Sequence, residues 1–155
     1  MMQSGQIQRF PWGTVDDAQV LIVHFGSKST PMIAQQLRQI SLQSRVIHAA
    51  EVPAVVRSGY RPKLVILSGG DDRVCNVTAP TIGDAELAAF RQHSIVLGIC
   101  YGAQVLAVKL GGSVARQAVP EFGEVQVQVA TPFGTYRGGT AIMNQNDEIV
   151  TLPPG

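Results

Sequence analysis

The stretch Gly98-Ile99-Cys100-Tyr101-Gly102 has the form G-x-C-x-G, a cysteine held on a sharp turn between a strand and a helix. The central residue of such a turn is forced into a strained conformation, so the residues two positions away must be small; Gly98 and Gly102 meet that need. The sulfur then emerges at the carboxyl edge of a sheet, where ligands of α/β proteins bind. It also sits at a helix N-terminus, where the dipole favours thiolate over thiol. The chemistry this suits is nucleophilic attack on a carbonyl carbon. A second constellation, Leu67-Ser68-Gly69-Gly70-Asp71, closes another apolar run. In the common parallel order its strand neighbours the one leading to Cys100, about 4.8 Å away. Backbone N–H groups of the glycines, with the N–H of Tyr101, can then hold an oxyanion. The plain alternatives are an ordinary buried cysteine and an ordinary glycine turn.

Elements must exist to place these residues. Four short apolar runs, 20–25, 45–49, 63–67 and 95–99, are rich in β-branched residues and nearly continuous. That is the pattern of parallel strands covered on both faces. Ser29 or Thr30 can cap a helix with Pro31 in its first turn, and Ile33, Leu37 and Ile40 fall on one face of it. Asp84 precedes a helix carrying Leu87 and Phe90. A third helix is expected over 101–110, with Ala103, Leu106 and Leu110 facing one way and Gly111-Gly112 as its stop. Alternation of strand and helix predicts an α/β fold with a doubly wound, mostly parallel sheet of flavodoxin-like kind. After Gly112 the rhythm becomes period two. Val125, Val127 and Val129 alternate with Glu124, Gln126 and Gln128, which predicts a half-buried antiparallel excursion. A turn over 131–134, a returning strand at 135–137 and short strands at 141–143 and 149–152 follow.

Composition narrows the function classes. The 155 residues are 45% hydrophobic and 15% charged, with 12 Lys+Arg against 11 Asp+Glu. The material suffices for one cored domain. A formal charge of +1 argues against a protein that works by attraction to nucleic-acid phosphates. No apolar run approaches the roughly 20 residues of a membrane helix, and residues 1–13 lack the apolar stretch of a secretory signal, so none is expected there. Residues 1–18 are expected to form a flexible polar tail with a Phe10–Trp12 contact, and 19–155 the domain. Cys75 and Cys100 make no disulfide framework and suit a reducing, cytoplasmic setting.

The residues resemble a known family. Val20-Leu21-Ile22-Val23-His24-Phe25-Gly26-Ser27-Lys28 is similar to the opening strand and loop of the GMP-synthase type of class I glutamine amidotransferase, which usually reads Asp-Phe-Gly-Ser-Gln. Leu67-Ser68-Gly69-Gly70 resembles its oxyanion loop, and Gly98 to Gln104 its nucleophile motif. Leu110-Gly111-Gly112 and Glu121-Phe122-Gly123 resemble segments that follow. The similarity runs from about Val20 to Gly155. Tyr101 after the cysteine and Phe-Gly-Ser after the first strand favour this type over sister amidotransferases.

The resemblance implies hydrolysis of L-glutamine through a cysteine thioester. Cys100 is the implied nucleophile, and Gly70 and Tyr101 the oxyanion donors. Gly69 and Gln104 would contact substrate. Asn144-Gln145-Asn146-Asp147 occupies the loop that clasps the substrate's amino-acid end, with Asn144, Asn146 and Asp147 as binding residues. Glu121, Phe122 and Gly123 would support the site. No metal or cofactor is expected in this domain. ATP and magnesium belong to an ATP-pyrophosphatase domain or subunit, the implied partner that aminates XMP.

Several positions depart from the family. His24 replaces Asp, Lys28 replaces Gln, Asp71 replaces Pro, and only Asp147 survives of Ser-His-Gly-Asp. The family's catalytic His-x-Glu has no counterpart, so the domain is expected to be C-terminally incomplete. His24, His48 and His93 all precede Cys100. His24, at the carboxyl end of a strand, and Glu121 are the candidate substitute bases. His48 and His93 read as packing or surface residues, Cys75 as a bystander, and Arg57, Arg61 and Lys63 as a solvated face. A non-catalytic glutamine-binding module docking on a synthetase stands as the alternative. A cysteine hydrolase or redox protein with a similar elbow is the third reading.

Overall fold

The computed structural model describes residues 18–133 and 136–154. Nearly all of the expected tail, with its Phe10–Trp12 contact, lies outside these, as do Gly134 and Thr135 of the expected turn and returning strand. The order is β1 (Val20–His24), α1 (Thr30–Gln39), β2 (Ser44–His48), a 3-10 turn (Ala49–Glu51) and α2 (Val52–Arg57). Then come β3 (Leu64–Leu67), α3 (Asp84–His93), β4 (Ile95–Gly98) and α4 (Tyr101–Lys109), followed by β5 (Ser113–Phe133) and β6 (Tyr136–Thr151). The first four strands pair in parallel in the order β2-β1-β3-β4. Leu67 stands opposite Gly98, so the expected neighbouring of the two site strands holds.

Alternate side chains of each strand enter two cores, because successive residues point to opposite faces. Val20, Ile22 and Ile66 face α1, where Ile33 and Leu37 cover them. Leu21, Val23, Val65 and Leu67 face the other way and pack with Val52, Val55, Leu87, Phe90, Tyr101 and Val105. Helices on both faces make the sheet doubly wound, as the sequence predicts. The N-terminal turn of α3 carries Asp84 and Glu86 and its last turn Arg91 and His93, the polarity a helix dipole favours. Lys109 Nζ joins α4 to that start with a 2.8 Å ion pair to Asp84.

The fold corrects four expectations. Ile40 does not join the apolar face of α1; it is the C-cap and 67% exposed. The core stripe of α4 runs through Tyr101, Val105 and Ala107, while Leu106 and Leu110 are only partly buried beside it. The tight turn at Cys100 rotates the helix so that Tyr101 leads. Third, β4 is not covered on both faces. Val96 packs inward, but Ile95 is 74% and Leu97 47% exposed, because α1 lies over β1 and β3 and does not reach them.

The fourth correction concerns the chain after Gly112. The short strands expected there are two long ones, paired antiparallel as a separate sheet. Irregularities between Arg116 and Glu121, and between Gln128 and Phe133, break the register and hid the continuity. The period-two reading itself holds: Val125, Val127 and Val129 are half-buried and Glu124, Gln126 and Gln128 exposed. Helix α2 and its 3-10 lead-in went unpredicted, being too short for a helical period to show. Among the described residues no helix is long and apolar enough to cross a membrane.

Candidate active site

Cys100 is the N-cap of α4, with φ 54° and ψ −119°. Only it and Ser41 among the described non-glycine residues have positive φ. An L side chain is held there only when its surroundings over-determine it, and the two flanking glycines do so. A Cβ at Gly98 would lie 2.5 Å from Ala103 Cα and 2.8 Å from the Gly102 oxygen. A Cβ at Gly102 would lie 2.0 Å from the Leu67 oxygen. The Gly102 N–H instead donates to the Ser68 and Ile99 carbonyls, both at 3.0 Å. The elbow is therefore built by backbone approaching backbone, and Cys100 is exposed at its apex.

The loop after β3 lies against this apex. A Cβ on Gly69 would come 3.8 Å from Cys100 Cβ and 3.2 Å from Ser27 Cβ. Gly70 is wedged beneath the Phe25 carbonyl and the Tyr101 ring. Ser68, fully buried, shares a 2.9 Å hydroxyl contact with Thr30 at the start of α1. The loops after β1 and β3 and the start of α4 thus converge at the carboxyl edge of the sheet. The Tyr101 N–H, first of its helix, has no partner within that helix. The glycine loop, the first turn of α4 and the sulfur therefore share one edge of the sheet.

Tyr101 anchors the turn. Its hydroxyl donates to the Pro80 carbonyl at 2.7 Å, and its ring meets Phe25 edge-on, 5.3 Å between centroids. Burial, then the nearby Asp72 and Cys75, push its pKa up to about 12. An unfolded tyrosine titrates near 10. The folded state therefore holds this proton more tightly, and its contribution to stability is full below pH of about 10 and lost as pH rises through about 12. Tyr60 is raised as well, also by burial. Tyr101→Phe is therefore expected to reduce, not abolish, the alkaline fall in urea midpoint between those values. An unchanged slope would show that the hydroxyl does not titrate as its surroundings require.

The structure brings Gln104 and Asp147 together. Gln104 Nε2 donates to the Asp147 carbonyl at 3.3 Å, and both residues are buried. The expected clasping loop is instead part of β6. Alternation along this strand buries Asp147 but turns Asn144 and Asn146 to solvent, so neither joins Gln104. Glu121 lies opposite Gln145 and accepts its Nε2 at 2.9 Å, which engages its carboxylate within the hairpin. Phe122 is 62% exposed and Gly123 has φ 89° with open space around it. These residues shape the hairpin and are not packed on the thiol.

None of the three histidines is placed at Cys100. His24 ends β1, and β3 separates that strand from β4, a span of about 10 Å between strand axes. Its ring turns the other way, onto His48, with centroids 5.0 Å apart. Burial and His48 hold the His24 pKa below the ordinary value against an opposing pull from Glu51. His48 Nδ1 accepts from the Ala50 N–H, and Glu51 returns a 2.7 Å bond to the His48 N–H, a capping box for the 3-10 turn. His93, exposed at the end of α3, contacts Arg61. Arg57, Arg61 and Lys63 are exposed, as a solvated face should be. Cys75 and Cys100 are both free. Among the described residues no group of His, Cys, Asp and Glu is disposed to hold a metal ion.

Sequence reasoning missed Arg73. Its guanidinium makes a two-point contact with Asp147, Nε to Oδ2 at 3.0 Å and Nη2 to Oδ1 at 3.1 Å. Nothing local signals this, because the partners lie 74 residues apart.

Comparison with known proteins agrees with this geometry. The family model described as glutamine amidotransferase class-I matches residues 21–155. GMP synthase (glutamine-hydrolyzing) from Teredinibacter turnerae is 35% identical across 90% of the chain, and that from Phenylobacterium zucineum 36% across 92%. The chain spans 28% of the length of each. The crystal structure of a GMP synthase subunit from Thermoplasma acidophilum superposes with TM-score 0.70 at 26% identity, covering 88% of this chain and 68% of that one. A glutamine amidotransferase from Methylobacillus flagellatus shares the fold, with TM-score 0.69 at 24% identity over 89% of this chain and 59% of its own. With the elbow, the glycine loop and the sheet order all in place, the chain belongs to the class-I glutamine amidotransferase family and is a domain of the GMP-synthase type.

Proposed function

We propose that this domain hydrolyses the side-chain amide of L-glutamine and passes the ammonia to a synthetase partner that aminates XMP to GMP. The observation that carries the reading is Cys100, exposed at positive φ with the Gly69-Gly70 loop against it. The thiolate attacks the amide carbon, and the carbonyl electrons move to an oxyanion held by the N–H groups of Gly70 and Tyr101. Collapse forms the glutamyl thioester, and the amide nitrogen leaves as ammonia after taking a proton. Water then adds to the thioester, regenerating the thiol and releasing glutamate. Gly69 and Gln104 flank the substrate, the latter through the Asp147 carbonyl it holds. ATP and magnesium enter only through the partner. The two free cysteines suit a cytoplasmic setting.

A second reading keeps the binding and drops the chemistry. The placement of all three histidines away from Cys100 favours it: a glutamine-binding module that docks on the synthetase. Calorimetric titration with glutamine separates the two on wild type and Cys100→Ala. Binding by both proteins, with ammonia released by wild type alone, is expected for the glutaminase. Binding with no ammonia from either supports the module, and no binding by either rejects both.

A further inference from the structure

We propose that Arg73 is a positioning residue that fixes the wall of the glutamine site, an inference that rests on the glutaminase reading. The loop carrying Gly69 and Gly70 continues to Arg73, whose two N–H groups grip the Asp147 carboxylate. From the opposite side Gln104, one turn along the nucleophile helix, holds the Asp147 carbonyl. Asp147 is 5% exposed, so its carboxylate is withdrawn from water, while the Arg73 side chain that reaches it is 40% exposed. The glycine loop, the helix of Cys100 and strand β6 therefore meet at a single residue. That junction sets how far the β5–β6 hairpin stands from the thiol. It also occupies both carboxylate oxygens of Asp147, so the charge of that residue is spent on Arg73. A planar fork suits this contact; a lysine ammonium offers one point of charge and no fork.

The test uses the chloroketone analogue of glutamine on the full chain, reading saturable alkylation of Cys100 by intact mass. Iodoacetamide reports intrinsic thiol reactivity in parallel. Arg73→Ala and Asp147→Asn are each expected to raise the half-saturating analogue concentration roughly 10-fold to 10²-fold, as a misplaced site wall does. The iodoacetamide rate should stay within about twofold of wild type, since the elbow is untouched. Arg73→Lys should recover part of the loss, and the double variant should be no worse than either single, as for two halves of one contact. Hydrogen exchange along residues 144–149 should quicken in Arg73→Ala even without ligand. Unchanged half-saturation with unchanged exchange in that variant would overturn the inference. Should Arg73→Ala fold poorly, Arg73→Lys and Asp147→Asn carry the same comparison. Wild type that never saturates would instead reject the glutaminase reading, while the exchange result still reports on the clamp.

Discussion

The 155 residues by themselves are expected to release ammonia from glutamine about 10²- to 10⁴-fold more slowly than a glutaminase with a base placed at its thiol, the usual worth of a positioned general acid–base. The reasoning is positional. The thiol and the proposed oxyanion donors share one edge of the sheet, but His24 leans on His48 across β1 and β2, and His93 sits on Arg61. Glu121 is held by Gln145 in the hairpin. What remains among the described residues is the proposed nucleophile and oxyanion site, which on this reading bind and polarise the amide but move its proton poorly. Glutamate release assayed near neutral pH checks this. A rate within about tenfold of an enzyme with such a base would contradict it, and loss of that rate in His24→Ala or Glu121→Gln would name the base.

Gly102→Ala should have the largest effect on stability, roughly 3 kcal/mol or more. Overpacking of a core commonly costs about 1–3 kcal/mol, because side chains can shift to make room. Here nothing flexible can yield. The added carbon would sit 2.0 Å from the Leu67 oxygen and 2.4 Å from its carbonyl carbon. Both belong to the end of β3, which is paired on each side by β1 and β4. Room can come only by separating α4 from the sheet, which pulls Cys100 off the Gly69 loop as well. Domains of this kind hold only about 5–15 kcal/mol in total, so the fall in urea midpoint should be large. Gly123 offers the contrast. Its surroundings are open, so Gly123→Ala is governed by its φ of 89° alone and should cost about 1–2 kcal/mol, the usual penalty of an L side chain in the left-handed region. Equal effects at the two positions would show that the elbow relaxes.

Local patterns explain why the site was legible. Positions 98, 100 and 102 and the pair 69–70 are short-range signals, and backbone sterics translate them directly into a turn. The four parallel strands are equally plain, since continuous β-branched runs have few other uses. What the sequence hid depends on distance or interruption. Arg73 meets Asp147 only because a hairpin folds back over α4. The long β5 and β6 read as fragments because bulges and glycines at 123, 138 and 139 break the alternation. The exposed side of β4 was unreadable from its own residues: Ile95 and Leu97 look like core, and only the position of α1 shows that they are uncovered. Asn144 and Asn146 resemble loop residues of the family only in sequence position; here strand alternation sends them outward.

The central claim is that Cys100 sits in a site shaped for glutamine, and covalent capture tests it most directly. Wild type treated with the chloroketone analogue of glutamine should gain one adduct, mapped to Cys100 and not to Cys75. Glutamine should protect against it, and Cys100→Ala should abolish it. Labelling shared equally between the two exposed cysteines, or indifferent to glutamine, would contradict the account.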